Sequence, residues 1–155
     1  MRLVTDSREQ APLVFSKVEG VTYETKGLVV GDYGCWHGQT QDATVFERKS
    51  LNDLFTSFSG ERYEAERAKI LRAKDLGLHY ILAIEASATE VRKGHGYQQG
   101  GTYHEYKKPG ISMIRQLMTL QQKYHIGVWF CQTRTEMAWM VQEYFLAGAR
   151  MREAA

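Results

Sequence analysis

The stretch Ala43-Thr44-Val45-Phe46-Glu47-Arg48-Lys49 begins as a β-strand and ends in three charged residues. Its first half is rich in β-branched and aromatic residues, which favour strands. Because side chains alternate across a strand, Glu47 and Lys49 share one face and Arg48 lies on the other. A carboxylate and an ammonium whose backbones are about 6–7 Å apart can both reach one small region.

A further acidic residue, Asp32, follows the apolar run Leu28-Val29-Val30-Gly31, which predicts the preceding strand. If the two strands pair as a hairpin, Asp32 approaches Glu47. Two carboxylates together with water suit Mg²⁺, which keeps several waters and needs only one or two protein carboxylates. The pattern therefore points to a place where a divalent cation can bind.

Length and composition predict one domain over residues 1–155, with 43% apolar and 25% charged residues. The net charge of +2 neither proves nor excludes nucleic-acid binding, so any DNA contact would need a local basic surface. The sequence has no apolar run of membrane-spanning length and no signal-peptide pattern at its start. Cys35 and Cys131 fit no paired motif and are expected to be free thiols. These features predict a cytoplasmic protein with no membrane partner.

Strand and helix patterns alternate along the rest of the chain, which indicates an α/β layer fold. We predict a strand at 2–5, helices at 50–58 and 61–76, a buried strand at 80–84, a helix at 112–124, a strand at 126–130 and a last helix from 133 to about 149. Residues 87–110 contain five glycines and many polar residues, which predicts a long flexible loop.

The charged positions resemble the nuclease signature of the XPF-type structure-specific endonucleases, in which Gly-Asp is followed by Glu-Arg-Lys, three residues and Asp. Further segments agree in order. Thr5-Asp6-Ser7-Arg8-Glu9 resembles the family's opening motif, Asp53–Ser57 followed by Arg62 resembles its next one, and Ile81–Glu85 resembles its apolar strand ending in Glu. The similarity covers the first 85 residues with specific motifs and the remainder by element order. It implies a restriction-endonuclease-like core, with a central mixed β-sheet flanked by α-helices.

The resemblance also implies an activity, that of a Mg²⁺- or Mn²⁺-dependent DNA endonuclease acting on flap, fork or otherwise branched DNA. It suggests a homodimer, and the layout is similar to compact stand-alone nucleases of bacterial or phage type. By this resemblance the metal ligands are Asp32 and Glu47, and the catalytic set is Asp32, Glu47, Lys49, Arg48, Asp53 and Asp6. The residues expected to contact DNA are Arg8, Arg62, Lys93, Lys107 and Lys108.

Several alternatives remain open from the sequence. Asp53 follows the predicted N-cap Ser50 by three residues, so helix capping and active-site support have equal weight. Arg48 can pair with Asp53 or Glu9, because strand alternation turns it away from Glu47. The Tyr- and Lys-containing loop can bind single-stranded DNA or simply be solvated.

Other functions also fit the sequence. The chain could be a catalytically silent DNA-binding or scaffold module of the same fold. It could equally be a nuclease similar to a Holliday-junction resolvase. The last helix, with Met137, Val141, Tyr144 and Phe145, can form a dimer interface or an intramolecular core.

Overall fold

The structure is a computed structural model that describes residues 1–154. Its strands are β1 (Arg2–Asp6), β2 (Thr22–Lys26), β3 (Tyr33–His37), β4 (Thr40–Ser50), β5 (His79–Glu85), β6 (Gly96–Gln99), β7 (Thr102–Glu105) and β8 (Gly127–Phe130). Its helices are α1 (Leu51–Ser57), α2 (Arg62–Asp75), α3 (Ala88–Lys93), α4 (Gly110–Tyr124) and α5 (Arg134–Glu153).

Six strands form one mixed sheet in the order β2-β1-β3-β4-β5-β8, and β6 and β7 form a separate two-stranded sheet. β4 pairs antiparallel with β3 on one side and parallel with β5 on the other. The parallel register runs from Thr44 opposite His79 to Ser50 opposite Glu85, so β4 and β5 end together at one edge of the sheet. The predicted α/β class, with a central mixed sheet flanked by helices, is confirmed.

The sheet separates two hydrophobic cores. On one face, α1, α2 and α4 cover Val45 of β4 and Leu82 of β5. On the opposite face, α5 covers Phe46 and Ala83. Alternation along the two central strands therefore sends neighbouring residues into different cores. Among residues 1–154, no helix is both long and apolar enough to cross a membrane.

The strand predicted over residues 28–32, with Asp32 at its end, is wrong. The chain bends there, and the strand that pairs with β4 is β3, which begins one residue after Asp32. Gly31 has a φ of +82°, which interrupts an extended segment. The bend nevertheless carries Asp32 to β4, because its backbone N–H donates to the Phe46 carbonyl at 2.7 Å.

The long loop predicted over residues 87–110 is also wrong, because most of the segment has regular structure. Ser87 and Glu90 form a capping box that starts α3. β6 and β7 then pair antiparallel as a hairpin that turns through Gly100 and Gly101. The composition did not indicate this hairpin, because its two strands have only four residues each. The glycines form the turn and allow close contacts of the backbone.

Replacing Gly31 by alanine tests the bend. A Cβ at this position would lie 3.1 Å from the Phe46 carbonyl oxygen and from Val45 Cβ, in a backbone conformation that already disfavours a side chain. We expect Gly31→Ala to lower the free energy of unfolding by about 2 kcal/mol or more in urea titrations.

Gly20→Ala is the matched control, since Gly20 also has a positive φ but its Cβ would meet no atom within 4 Å. It should lose only the conformational part, about 1 kcal/mol. Equal losses in the two variants would show that the close approach at Gly31 does not matter.

Candidate active site

A cleft of about 510 Å³ opens between the end of β1, the bend before β3, and one side of α2. Its lining residues are Asp6, Arg8, Val29, Val30, Gly31, Asp32, Glu47, Ala65, Ala68, Lys69 and Arg72. Four of the residues predicted from the sequence therefore meet here, namely Asp6, Arg8, Asp32 and Glu47. The small side chains of Ala65 and Ala68 leave the space between α2 and the sheet open.

Asp32 and Glu47 are electrostatically coupled across this cleft. Burial, together with the negative charge of Glu47, raises the pKa of Asp32 to about 7. The Arg48 backbone N–H acts in the other direction, since it donates to Asp32 Oδ2 at 2.7 Å. Both carboxylates line the same cleft, and their role as metal ligands stays a prediction.

Two lysines surround the buried carboxylate of Glu47. Lys69 Nζ lies 2.7 Å from Glu47 Oε1, and Lys49 Nζ lies 3.2 Å from the same atom. Glu66 completes the cluster, because its Oε1 lies 2.9 Å from Lys49 and 3.3 Å from Lys69. Carboxylates and ammonium groups alternate, so each buried charge has an opposite neighbour.

Lys69 is the member of this cluster closest to solvent, with 42% of its side chain exposed, whereas Lys49 is buried. Burial lowers the pKa of Lys69, but the charges of Glu47 and Glu66 outweigh it and raise the pKa above its ordinary value. Lys69 is thus a fixed cation at the wall of the cleft.

The donor set fits a divalent cation. Among residues 1–154, no group of three or more His, Cys, Asp or Glu side chains could hold a metal, so an ion would have two carboxylates and complete its shell with water. Glu66 Oε2 is buried without a hydrogen-bond partner among residues 1–154, but Glu66 does not line the cleft and is not one of these donors.

Arg48 lies on the opposite side of β4, as alternation predicts. Its guanidinium is 2.7 Å from Glu85 Oε2 and 3.1 Å from Glu9 Oε1, and its side chain is 9% exposed. The expected pair with Glu9 is present, whereas Asp53 bonds to Ser50 instead. The Arg48 side chain therefore joins Glu9 to Glu85 on the α5 side of the sheet. Its backbone N–H orients Asp32. A direct catalytic role for Arg48 stays a prediction.

Asp53 and Asp6 have structural partners. Ser50 Oγ accepts from the Asp53 backbone N–H and donates to its carboxylate, so Asp53 supports the start of α1. Asp6 accepts from Arg8 Nε at 2.8 Å, from Arg8 Nη2 at 2.9 Å and from the Leu28 N–H at 2.6 Å. Asp6 thereby fixes both the bend and Arg8. Direct catalytic roles for Asp53 and Asp6 remain predictions.

The residues predicted to contact DNA fall into two places. Arg8 lines the cleft, with 71% of its side chain exposed. Arg62 begins α2 and is exposed outside the cleft lining, and Glu66, one turn later, contacts lysines. Lys93 and Lys107 flank the β6–β7 hairpin and are exposed. Lys108 is partly buried and donates to the Phe58 carbonyl at 3.1 Å and to Gln116.

The sequence-based reading missed Lys69, Arg72 and the role of Glu66. The helix buries Glu66, Ile70 and Ala73. The signal available was the spacing of Ala65, Ala68, Lys69 and Arg72, which follows one helical stripe and indicates a face turned toward a polar cleft.

Comparison with known proteins identifies related folds. The ERCC4 domain matches residues 5–144. XPF from Aeropyrum pernix is similar with a TM-score of 0.65 and 19% identity, over 99% of this chain and 68% of that chain. XPF from Aeropyrum pernix in complex with DNA gives a TM-score of 0.65 and 19% identity, over 96% of this chain and 65% of that one. At this identity the structures show the fold alone, and a search of curated proteins finds no match.

Arg48→Met should destabilise the protein by about 2 kcal/mol in urea titrations, because the partly buried Glu9 loses its cation and Glu85 keeps only Arg134. Arg2→Met is the control, since Arg2 pairs with Glu24 where both side chains are more than a third exposed. It should change stability by less than about 1 kcal/mol. Equal effects would contradict the buried role of Arg48.

Asp6→Asn tests the pH dependence of the bend. The Arg8 guanidinium holds the pKa of Asp6 at about 2, below its ordinary value of 3.8. A lowered pKa means that ionised Asp6 stabilises the fold above pH 4, and that this contribution is lost as the pH falls through 2.

We expect Asp6→Asn to be less stable than the wild type by about 1–2 kcal/mol at pH 6, with the difference closing near pH 2. Urea titrations at several pH values measure this. Arg8→Met is the companion variant and should flatten the same pH dependence. A constant difference between wild type and Asp6→Asn at all pH values would refute the assignment.

Proposed function

The chain belongs to the ERCC4 domain family, and from this premise we propose that it is a Mg²⁺- or Mn²⁺-dependent endonuclease that cleaves branched DNA. Family members are nucleases, which supports the broader conclusion that the chain is a DNA endonuclease. The observation that carries the finer proposal is the coupled pair Asp32 and Glu47 in an open cleft, flanked by the ammonium groups of Lys49 and Lys69.

Asp32 and Glu47 would hold the ion, which when bound supplies Lewis acidity and positive charge at the scissile phosphate. The lysines have different tasks. Lys49 is buried between Glu47 and Glu66 and keeps the Glu47 carboxylate in place. Lys69 reaches solvent and offers a pre-positioned cation to the charge that develops on the phosphate.

Two arginines border the same cleft and provide contacts for the DNA backbone. Arg8 projects from the end of β1, where its bonds to Asp6 and to the Leu28 carbonyl hold it in one orientation. Arg72 lies across the cleft on α2. Guanidinium groups suit phosphate because their donors match its geometry. Both arginines line the same cleft as Asp32 and Glu47.

Branched DNA as the substrate, including flaps, forks and single-strand/duplex junctions, is proposed from the family resemblance. A solved structure of similar fold is a complex with DNA, which supports DNA as the partner. A homodimer is also proposed on the family resemblance. Within α5, Met137, Val141 and Phe145 are buried in the core of this chain, so an interface would have to use other residues.

Removing either carboxylate tests the proposed activity. Asp32→Asn and Glu47→Gln should each lower the cleavage of labelled flap DNA in Mg²⁺ at least about a hundredfold. Each variant removes a ligand of the ion whose positive charge would stabilise the scissile phosphate. Denaturing gels with Mg²⁺, Mn²⁺ or EDTA measure this, and a four-way junction distinguishes resolvase-like cutting.

Thermal denaturation gives a second readout that does not depend on turnover. Mg²⁺ should raise the melting temperature of the wild type, because a ligand that binds the folded state stabilises it, and should do so less in Asp32→Asn. Glu64→Gln is the control, as Glu64 is an exposed carboxylate of α2 paired with Arg67. Wild-type cleavage by both cleft variants would reject the proposal.

Lys69→Ala separates phosphate stabilisation from metal binding. We expect cleavage to fall about 10- to 100-fold while the Mg²⁺-induced rise in melting temperature persists. Lys69→Arg should recover part of the rate because it keeps the positive charge. Lys74→Ala, which removes an exposed cation from the last turn of the same helix, serves as the control. An unchanged rate in Lys69→Ala would exclude the role proposed for Lys69.

A further inference from the structure

We propose that the β6–β7 hairpin is a stacking platform that binds the unpaired strand of the DNA substrate through its bases. The inference rests on the proposed function in one respect, namely that DNA is the substrate. It adds a second binding site outside the cleft, and it identifies single-stranded DNA as the part of the substrate that this site recognises.

A row of stacked rings extends from the body of the protein into the hairpin. Phe55 of α1 and Tyr106 stack with centroids 3.9 Å apart and planes 3° apart. Tyr97 continues the row at 5.8 Å from Tyr106, and His104 follows at 5.2 Å from Tyr97. The inner ring is buried and the outer ring is exposed, so the row ends at a surface where a nucleobase can add one more ring.

The hairpin is held firmly against the body. The Tyr106 N–H donates to the His95 carbonyl at 2.8 Å, which extends the pairing beyond β6 and β7. Gly94 brings the backbone close to Phe55, where a Cβ would lie 2.8 Å from the ring. Lys108 bonds to the Phe58 carbonyl at the other end. A platform fixed in this way binds bases without having to order a loop first.

The second face of the hairpin carries Tyr103, which pairs with Gln98 in the strand register, lies over Gly96 and is 51% exposed. All four residues of β7 are exposed. A large aromatic ring gains little stability for the protein when half of its surface remains in water. Both faces of the hairpin therefore offer rings that lack a complete packing partner.

The charge around the hairpin suits a polyanion. Arg92, Lys93 and Lys107 are exposed, and none of them takes part in an ion pair within residues 1–154. Glu105 is the single carboxylate between residues 92 and 108. Aromatic rings beside free cations bind single strands by stacking and phosphate contact. A duplex keeps its base faces within its own stack, so it cannot use the rings.

The row of rings lies on the same face of the sheet as Glu47, because Phe55 and Tyr106 pack in the core that contains Val45, and Val45 and Glu47 share one face of β4. Glu47 is three residues before the end of β4, α1 begins at the next residue after that end, and Phe55 lies in α1. The chain path from Glu47 to Phe55 is about 20 Å at strand and helix rises. One DNA strand could thus contact the hairpin while the neighbouring duplex phosphate enters the cleft.

Fluorescence anisotropy of the full-length chain in EDTA tests the platform without cleavage. The probes are a labelled 20-nucleotide oligothymidine and a blunt 20-base-pair duplex at the same salt concentration. We expect the double variant Tyr103→Ala/His104→Ala to bind the single strand at least about 5-fold more weakly, and the duplex with less than a 2-fold change. Lys93→Gln/Lys107→Gln should weaken single-strand binding and reduce its salt dependence.

Trp139→Ala is the matched control, because it removes another exposed aromatic ring, on α5, away from the hairpin. Circular dichroism and melting temperatures verify that every variant is folded. Unchanged single-strand affinity in the double variant, or an equal loss on single strand and duplex, overturns the inference. A loss of self-association in its place would also overturn it and assign the rings to a protein contact.

The two proposals can fail separately. If the wild type cleaves no DNA but the double variant still loses single-strand binding, the platform stands and the nuclease proposal fails. If the wild type cleaves flap DNA and the double variant binds and cleaves like it, the nuclease proposal stands and the platform fails.

Discussion

The burial of the Glu47 carboxylate is the constraint on which the rest of the site depends. A buried charge is tolerated only with opposite charges and hydrogen bonds around it. Lys49 comes from the same strand, Lys69 comes from α2, and both contact one oxygen of Glu47. Their arrangement ties the position of α2 to the central strand. The contact between Lys69 and Glu47 therefore both holds α2 at the side of the cleft and places a cation beside the carboxylate.

β4 separates structural from chemical functions by alternation alone. Its Glu47 and Lys49 side chains face α2, whereas Arg48 faces the α5 side and joins Glu9 to Glu85. The Arg48 backbone remains part of the site, since its N–H donates to Asp32. One residue can thus stabilise one core with its side chain and orient a carboxylate of the opposite face with its main chain.

Burial, and after it the negative charge of Glu47, raises the pKa of Asp32 to about 7, so the folded protein disfavours the ionised form of this carboxyl group. Two carboxylates held together disfavour ionisation, and a bound cation would relieve this repulsion. Strain of this kind is typical of functional sites, where the fold maintains an arrangement that lowers its own stability. Asp32 and Glu47 lie in an open cleft, and Arg8 and Arg72 in its lining are positive groups that attract an anion.

Local patterns in the sequence determined most of the elements, because helix caps, helical stripes and β-branched runs depend on near neighbours. Such patterns predict Ser50 as the N-cap of α1 and β5 as a buried strand. They also predict that Glu47 and Arg48 lie on opposite faces of β4. The approach of Asp32 to Glu47 was also predicted, although the strand expected before it is a bend around Gly31.

Only the tertiary structure decided which charges meet. The helical stripe that contains Lys69 does not identify Glu47 as its partner, and the stack of Phe55 on Tyr106 joins residues that are far apart in the chain. Such contacts depend on how α2 and the hairpin pack on the sheet. A sequence pattern reports periodicity within one element, whereas the partner of a charged or aromatic side chain is set by the packing between elements.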